Sequence, residues 1–202
     1  ISSAREILNT HDGAAVELAL YDKLIKEGWD NKTGLRFPIQ RPWSPELTYC
    51  TITEQAYVLS ALVRAITIDS KDTAALKRAK GLIDGLCKLV TKHKTRAMWF
   101  GQIEYSEPCL SFASDVYVLN EGFSNEIQTG WGDGVLRNAT IITPLIDFYD
   151  LTGYEPALNL AIGLACHLTS FSHYLNFKME FYGHVNSALW ISSGLVKLGR
   201  IL

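Results

Sequence analysis

Apolar residues recur at helical spacing in six stretches of this chain, and connections of very uneven length separate them. Residues 13–28 carry Ala14, Val16, Leu18, Leu20, Leu24 and Ile25 among good helix formers and end at Gly28, a pattern that predicts a helix. Residues 29–50 follow with Trp29, Gly34, Pro38, Pro42, Trp43 and Pro45, a loop of breakers and aromatics. Thr53–Ile68 is apolar around much of its circumference, which predicts an inner, buried helix with Thr53 as its cap. Residues 72–92 differ. They keep Ala75, Leu76, Ala79, Leu82, Ile83, Leu86 and Leu89 on one stripe and their lysines elsewhere, the pattern of an outer helix.

Residues 93–130 have no decisive period, and helix and strand both stay open there. The inner type returns at 133–151, the outer type at 154–172 after Thr152-Gly153, and the inner type again from Val185 to Leu202. A shift of 82 residues superposes the two outer helices, matching Ala75, Leu76, Ala79, Gly81, Leu82 and Leu86 with Ala157, Leu158, Ala161, Gly163, Leu164 and Leu168. The repeating unit is an inner helix, a turn and an amphipathic helix, which buries its inner face by packing beside its neighbours. The expected fold class is all-α: a single helical domain over residues 1–202, built as a helical-hairpin toroid or an incomplete (α/α) barrel.

Composition narrows the function classes. The 202 residues carry 19 Lys and Arg against 21 Asp and Glu, a formal charge of −2, so nothing global favours a polyanion and no nucleic-acid partner is expected. An apolar share of 48% excludes disorder, and the lack of a long uncharged apolar run argues against membrane insertion. Phosphate-loop, dinucleotide, nucleophile-elbow and zinc-protease motifs are absent, and no cofactor is expected. Cys50, Cys87, Cys109 and Cys166 form no Cys-x-x-Cys, and His11, His93, His167 and His173 have no metal-ligand spacing, so no metal site is expected. Cys87 and Cys166 lie in apolar helical patterns and read as buried free thiols, and His167 in its outer helix reads as structural. The compartment, cytoplasmic or secreted, stays open.

The stretch Trp131-Gly132-Asp133-Gly134 through Tyr149-Asp150-Leu151-Thr152-Gly153 resembles an inner helix of the six-hairpin (α/α) toroid glycosidases, with its closing Tyr-x-x-Thr-Gly turn. Glu155-Pro156-Ala157-Leu158 continues as their outer helix does, and Gly183-His184-Val185-Asn186 resembles the opening of the next hairpin. Among these families the chain is most similar to the β-L-arabinofuranosidase-like branch, over residues 50–92 and 130–202. That branch holds zinc on a cysteine cluster that has no counterpart here, so no metal and no nucleophile carry over. The resemblance implies a glycan-binding cup where the inner helices begin. It also implies that further chain segments or subunits complete the ring, since the helices here amount to about half of one.

Candidates for chemistry follow from that placement. Glycosidic cleavage commonly uses two carboxyl groups, which Asp133, Glu54, Asp12 and Glu104 could supply; Asp133 and Glu54 at helix openings are the expected catalytic carboxyls, with His184 as a further acid–base or hydroxyl-binding group. Acidic residues in a first helical turn also cap it, which is the competing structural explanation. Trp131, Trp99, Trp43 and Tyr182 offer flat apolar faces for sugar rings, and Arg137 and Glu104 add polar contacts. The expected function is a carbohydrate-active, glycoside hydrolase-like protein. The alternative is a non-catalytic helical-repeat module that binds a protein partner.

Overall fold

The computed structural model describes residues 13–38, 48–93, 98–100, 103–105, 109–124, 139–170 and 185–202. Six α-helices carry most of it: α1 (Ala14–Lys26), α2 (Ile52–Ile68), α3 (Thr73–Leu89), α4 (Ile142–Thr152), α5 (Glu155–Ser170) and α6 (Val185–Ile201). The helices α2, α4 and α6 pack in series, with α4 between the other two. On the opposite side α3 backs α2, α5 backs α4, and α3 meets α5. This division agrees with the inner and outer patterns of the sequence.

The 82-residue repeat is expressed in burial. Ala75, Ala79, Leu82 and Leu86 of α3 and their counterparts Ala157, Ala161, Leu164 and Leu168 of α5 all lie in one apolar core. Ile141 just ahead of α4, and Ile142, Leu145 and Phe148 within it, are fully buried there, joined by Leu59 and Leu62 of α2. Small residues set how closely the elements approach. A Cβ on Gly194 of α6 would stand 2.8 Å from Thr143 Oγ1 of α4, and the same hydroxyl donates to Trp190 O at 3.1 Å.

The expected all-α class is overturned. Seven short strands are present among the described residues: β1 (Tyr49–Thr51), β2 (Thr91–Lys92), β3 (Met98–Phe100), β4 (Ile103–Tyr105), β5 (Leu110–Ser111), β6 (Val116–Val118) and β7 (Gly122–Ser124). They form one three-stranded antiparallel sheet, β1-β6-β7, and two antiparallel pairs, β2-β5 and β3-β4. The fold is therefore mixed. The reason is backbone bookkeeping: chain that crosses between helix ends must still pair its N–H and C=O groups. Residues 91–124 meet that demand with strand ladders, which runs of two or three residues can form without a clear period.

One helix opening also differs from expectation. The cap of α2 is Thr51, not Thr53: Thr51 Oγ1 accepts from Glu54 N at 3.0 Å, and Glu54 Oε2 accepts from Thr51 N at 2.8 Å. This reciprocal capping box satisfies two free N–H groups at once. Of the helix expected over 133–151, the described part is a 3-10 turn over Ala139–Ile141 followed by α-helix from Ile142. Pro144 lies in the first turn of that α-helix, where its missing N–H costs no hydrogen bond. Residues 131–138 lie outside the described residues.

The expected free thiol at Cys166 is likewise corrected. Cys166 on α5 forms a disulfide with Cys109 just ahead of β5, with Cα atoms 5.0 Å apart. Cys50 and Cys87 are unbridged, and Cys87 donates to Pro156 O at 3.8 Å.

Candidate functional site

The head of α2 is held by a polar niche drawn from three separate segments. Gln55, fully buried, pins the loop after α1 in place of a strand: its Oε1 accepts from Arg36 N at 3.0 Å, and its Nε2 donates to Arg36 O at 2.8 Å. Asp115, buried ahead of β6, accepts from Ile52 N through its carbonyl at 2.9 Å and from the Thr53 hydroxyl through Oδ1 at 3.4 Å. The β1-β6 ladder thus seats the α2 N-terminus, and Thr53 serves that seat rather than the cap. Glu54, one of the expected catalytic carboxyls, stands here as half of the capping box.

An aromatic pair lies a turn and a half along the inner helices. Tyr57 of α2 and Trp190 of α6 bring their ring centroids to 5.0 Å with a 37° tilt. Each is the sixth residue of its helix, so the two rings meet at one level over the start of α4. Tyr57 remains 56% exposed, which leaves an aromatic face open to solvent. Neither residue was expected from the sequence, because both read as apolar helix positions destined for the core.

The other expected site residues divide into two groups. Trp99 and Glu104 are backbone register partners across the β3-β4 pair, so the structure brings these two positions together. Asp133, His184, Trp131, Tyr182, Trp43 and Arg137 lie outside the described residues. Trp29, the remaining loop tryptophan, is an anchor. Its Nε1 donates to Leu24 O at 2.7 Å, and the Arg78 guanidinium stands 4.9 Å from its ring centroid.

A second locus was not foreseen. Between β2, β5 and α5 lies a cavity of about 340 Å³. Leu110, Phe112, Ala139, Leu164 and Leu168 give it an apolar wall, and the exposed Thr91 and Ala113 stand at its mouth. Its polar groups are His93, Ser111 and His167. His93 Nε2 lies 2.7 Å from Ser111 Oγ, and the two imidazole centroids are 4.7 Å apart with a 36° tilt. Burial, and then the neighbouring His93, hold the His167 imidazole below its ordinary pKa, which favours the neutral ring. Backbone geometry fixes the constellation: Thr91 pairs with Ser111, and His93 N donates to Cys109 O at 2.8 Å. The Cys109–Cys166 disulfide ties that strand pair to α5 one residue before His167. Sequence spacing held no signal for this convergence, since three separate elements supply it.

Comparison with protein-family profiles, curated proteins and solved structures finds no match to this chain. No group of three or more His, Cys, Asp or Glu side chains among the described residues is placed to hold a metal ion, and no helix there is long and apolar enough to cross a membrane.

Proposed function

We propose that this chain is a carbohydrate-active protein that binds a glycan at the head of the inner helices, with the Tyr57–Trp190 pair as a stacking platform. The observation that carries this reading is the exposed aromatic face that two inner helices present at the same level. A pyranose or furanose ring has an apolar C–H face, and aromatic rings bind it by contact without needing a charge. In the sequence, polar candidates stand ahead of the inner helices. Asp133 and Arg137 precede α4, and His184 immediately precedes α6. Trp131, Tyr182 and Trp43 sit in the same leading segments, Trp43 ahead of α2. Resemblance to six-hairpin glycosidases supports a glycan as the ligand and hydrolysis as its reaction. In that reaction Asp133 supplies a carboxyl group and His184 contacts a hydroxyl, while Glu54 holds the head of α2.

A glycan array followed by calorimetry with the best ligand tests the reading. Tyr57→Ala should weaken that ligand at least tenfold while leaving the far-ultraviolet circular dichroism unchanged. An array without binders removes the glycan reading and leaves the protein-interaction alternative, for which the exposed Leu189 and Val196 of α6 are the surface to mutate. Asp133→Asn with undiminished turnover of aryl glycosides removes Asp133 from the reaction.

A further inference from the structure

We infer that the cavity between β2, β5 and α5 is an acyl-ester hydrolase site, with Ser111 as nucleophile, His93 as its base and His167 as the oxyanion donor. The inference is independent of the glycan reading. Its warrant is a hydroxyl and an imidazole nitrogen 2.7 Å apart, inside a cavity, with a second imidazole beside the first. A serine hydroxyl is a weak nucleophile by itself, and a hydrogen-bonded imidazole is the usual means of activating it. The second requirement is a donor aimed at the developing negative charge, which a histidine N–H can supply. The His167 ring centroid stands 4.7 Å from that of His93 and lines the same cavity.

In the tautomer protonated on Nδ1, His93 Nε2 takes the Ser111 proton while Oγ bonds to the ester carbonyl carbon. The carbonyl π pair moves to oxygen, where the His167 N–H stabilises it. Collapse of this intermediate expels the alcohol oxygen, which takes the proton back from His93, and an acyl-serine remains. Water then adds to the acyl carbon, giving its proton to His93, and Ser111 leaves with that proton as the carboxylic acid is released. Ester and water become acid and alcohol, without oxidant, metal or cofactor.

The walls indicate the substrate class. Leu110, Phe112, Leu164 and Leu168 line the cavity beside the polar triad, so the acyl group is apolar. A volume of about 340 Å³ is at the small end for ligand sites, which selects a short acyl chain. Gly163 belongs to the same construction. A Cβ there would stand 2.4 Å from the Leu110 side chain, so glycine lets the strand pair close on α5 and shape the apolar wall.

The test uses the whole chain with a fluorophosphonate probe and p-nitrophenyl esters of two to eight acyl carbons. Wild-type protein should label once, at Ser111 by peptide mass analysis, and should hydrolyse the short esters fastest. Ser111→Ala should abolish labelling and lower kcat/KM at least a hundredfold, with unchanged circular dichroism. His93→Gln should slow labelling by a similar factor. His167→Phe, which keeps the ring packing but removes the N–H, should lower kcat more than tenfold with little change in KM. Wild-type protein that neither labels nor hydrolyses any of these esters overturns the proposal. So does ester hydrolysis that Ser111→Ala leaves intact, since that is the behaviour of surface imidazoles.

Discussion

The Tyr154 hydroxyl donates to Asp84 Oδ1 at 2.5 Å, and this bond joins the turn before α5 to the middle of α3 across 70 residues of sequence. It has a counterpart at the N-terminal cap of α3, where the Tyr21 hydroxyl of α1 donates to the Asp72 carboxylate. In both cases a phenol from a neighbouring element closes onto a carboxylate in or capping the same outer helix. Burial and the hydrogen bond to Asp84 push the Tyr154 phenol up to about 12 from its ordinary value of 10, and Tyr21 moves in the same direction.

That shift fixes a pH window. The folded state favours the protonated phenol, so the stabilisation is complete below pH 10 and is lost as pH rises through about 12. Tyr154→Phe should lower unfolding free energy by about 1 kcal/mol at pH 8, the usual net worth of a hydrogen bond. The gap to wild type should narrow above pH 10. Absorbance at 295 nm should show one late-titrating phenol fewer in the variant. A phenol count that does not change in this late phase would refute the assignment.

Two glycines one turn apart on α3 should respond to alanine with opposite signs. A Cβ on Gly85 would lie 1.8 Å from Thr33 O, so Gly85→Ala must displace the loop after α1. Overpacking of this kind costs about 1–3 kcal/mol. Gly81 has no atom within 4 Å of its would-be Cβ, so Gly81→Ala gains up to about 1 kcal/mol from helix propensity alone. Urea unfolding of the two variants should place their midpoints on either side of wild type.

The Cys109–Cys166 disulfide closes a loop of sequence separation 57, and its loss should cost about 2–4 kcal/mol. The Cys109→Ala/Cys166→Ala variant checks this by thermal unfolding. In unreduced, denatured protein two thiols should alkylate, Cys50 and Cys87. In native protein Cys87 should react slowly near neutral pH, because burial and then Asp84 push its thiol up to about 11. Its alkylation rate should rise about tenfold per pH unit below that value, as the thiolate fraction does.

Glu54 tests the capping role directly. Glu54→Gln keeps an acceptor for Thr51 N and should change stability by less than about 0.5 kcal/mol, while Thr51→Ala should cost about 1 kcal/mol. If Glu54→Gln also preserves aryl-glycoside turnover, the carboxylate serves the helix and not the reaction.

Much of the helical scaffold was legible from side-chain period alone. The stretches around Ala14, Ala56, Ala79, Leu145, Ala161 and Leu195 each became a helix, because one apolar stripe per 3.6 residues suits one burial face. The Thr51-Ile52-Thr53-Glu54 capping box was also there to be read, as a Thr followed three residues later by Glu.

Local pattern determined which segments coil, which faces they bury and that two outer helices repeat. The tertiary structure alone decided the rest. Strands of two or three residues are too short to show a period, so β2 and β5 exist only because each satisfies the other's backbone. Disulfide pairing depends on Cα separation, and Cys166 meets Cys109 only once α5 is packed on β5. Tyr57 meets Trp190, and Ser111 meets His93 beside His167, for the same reason. Period describes a residue's own element. Proximity between elements is created by packing, and both candidate sites of this protein are built from proximity.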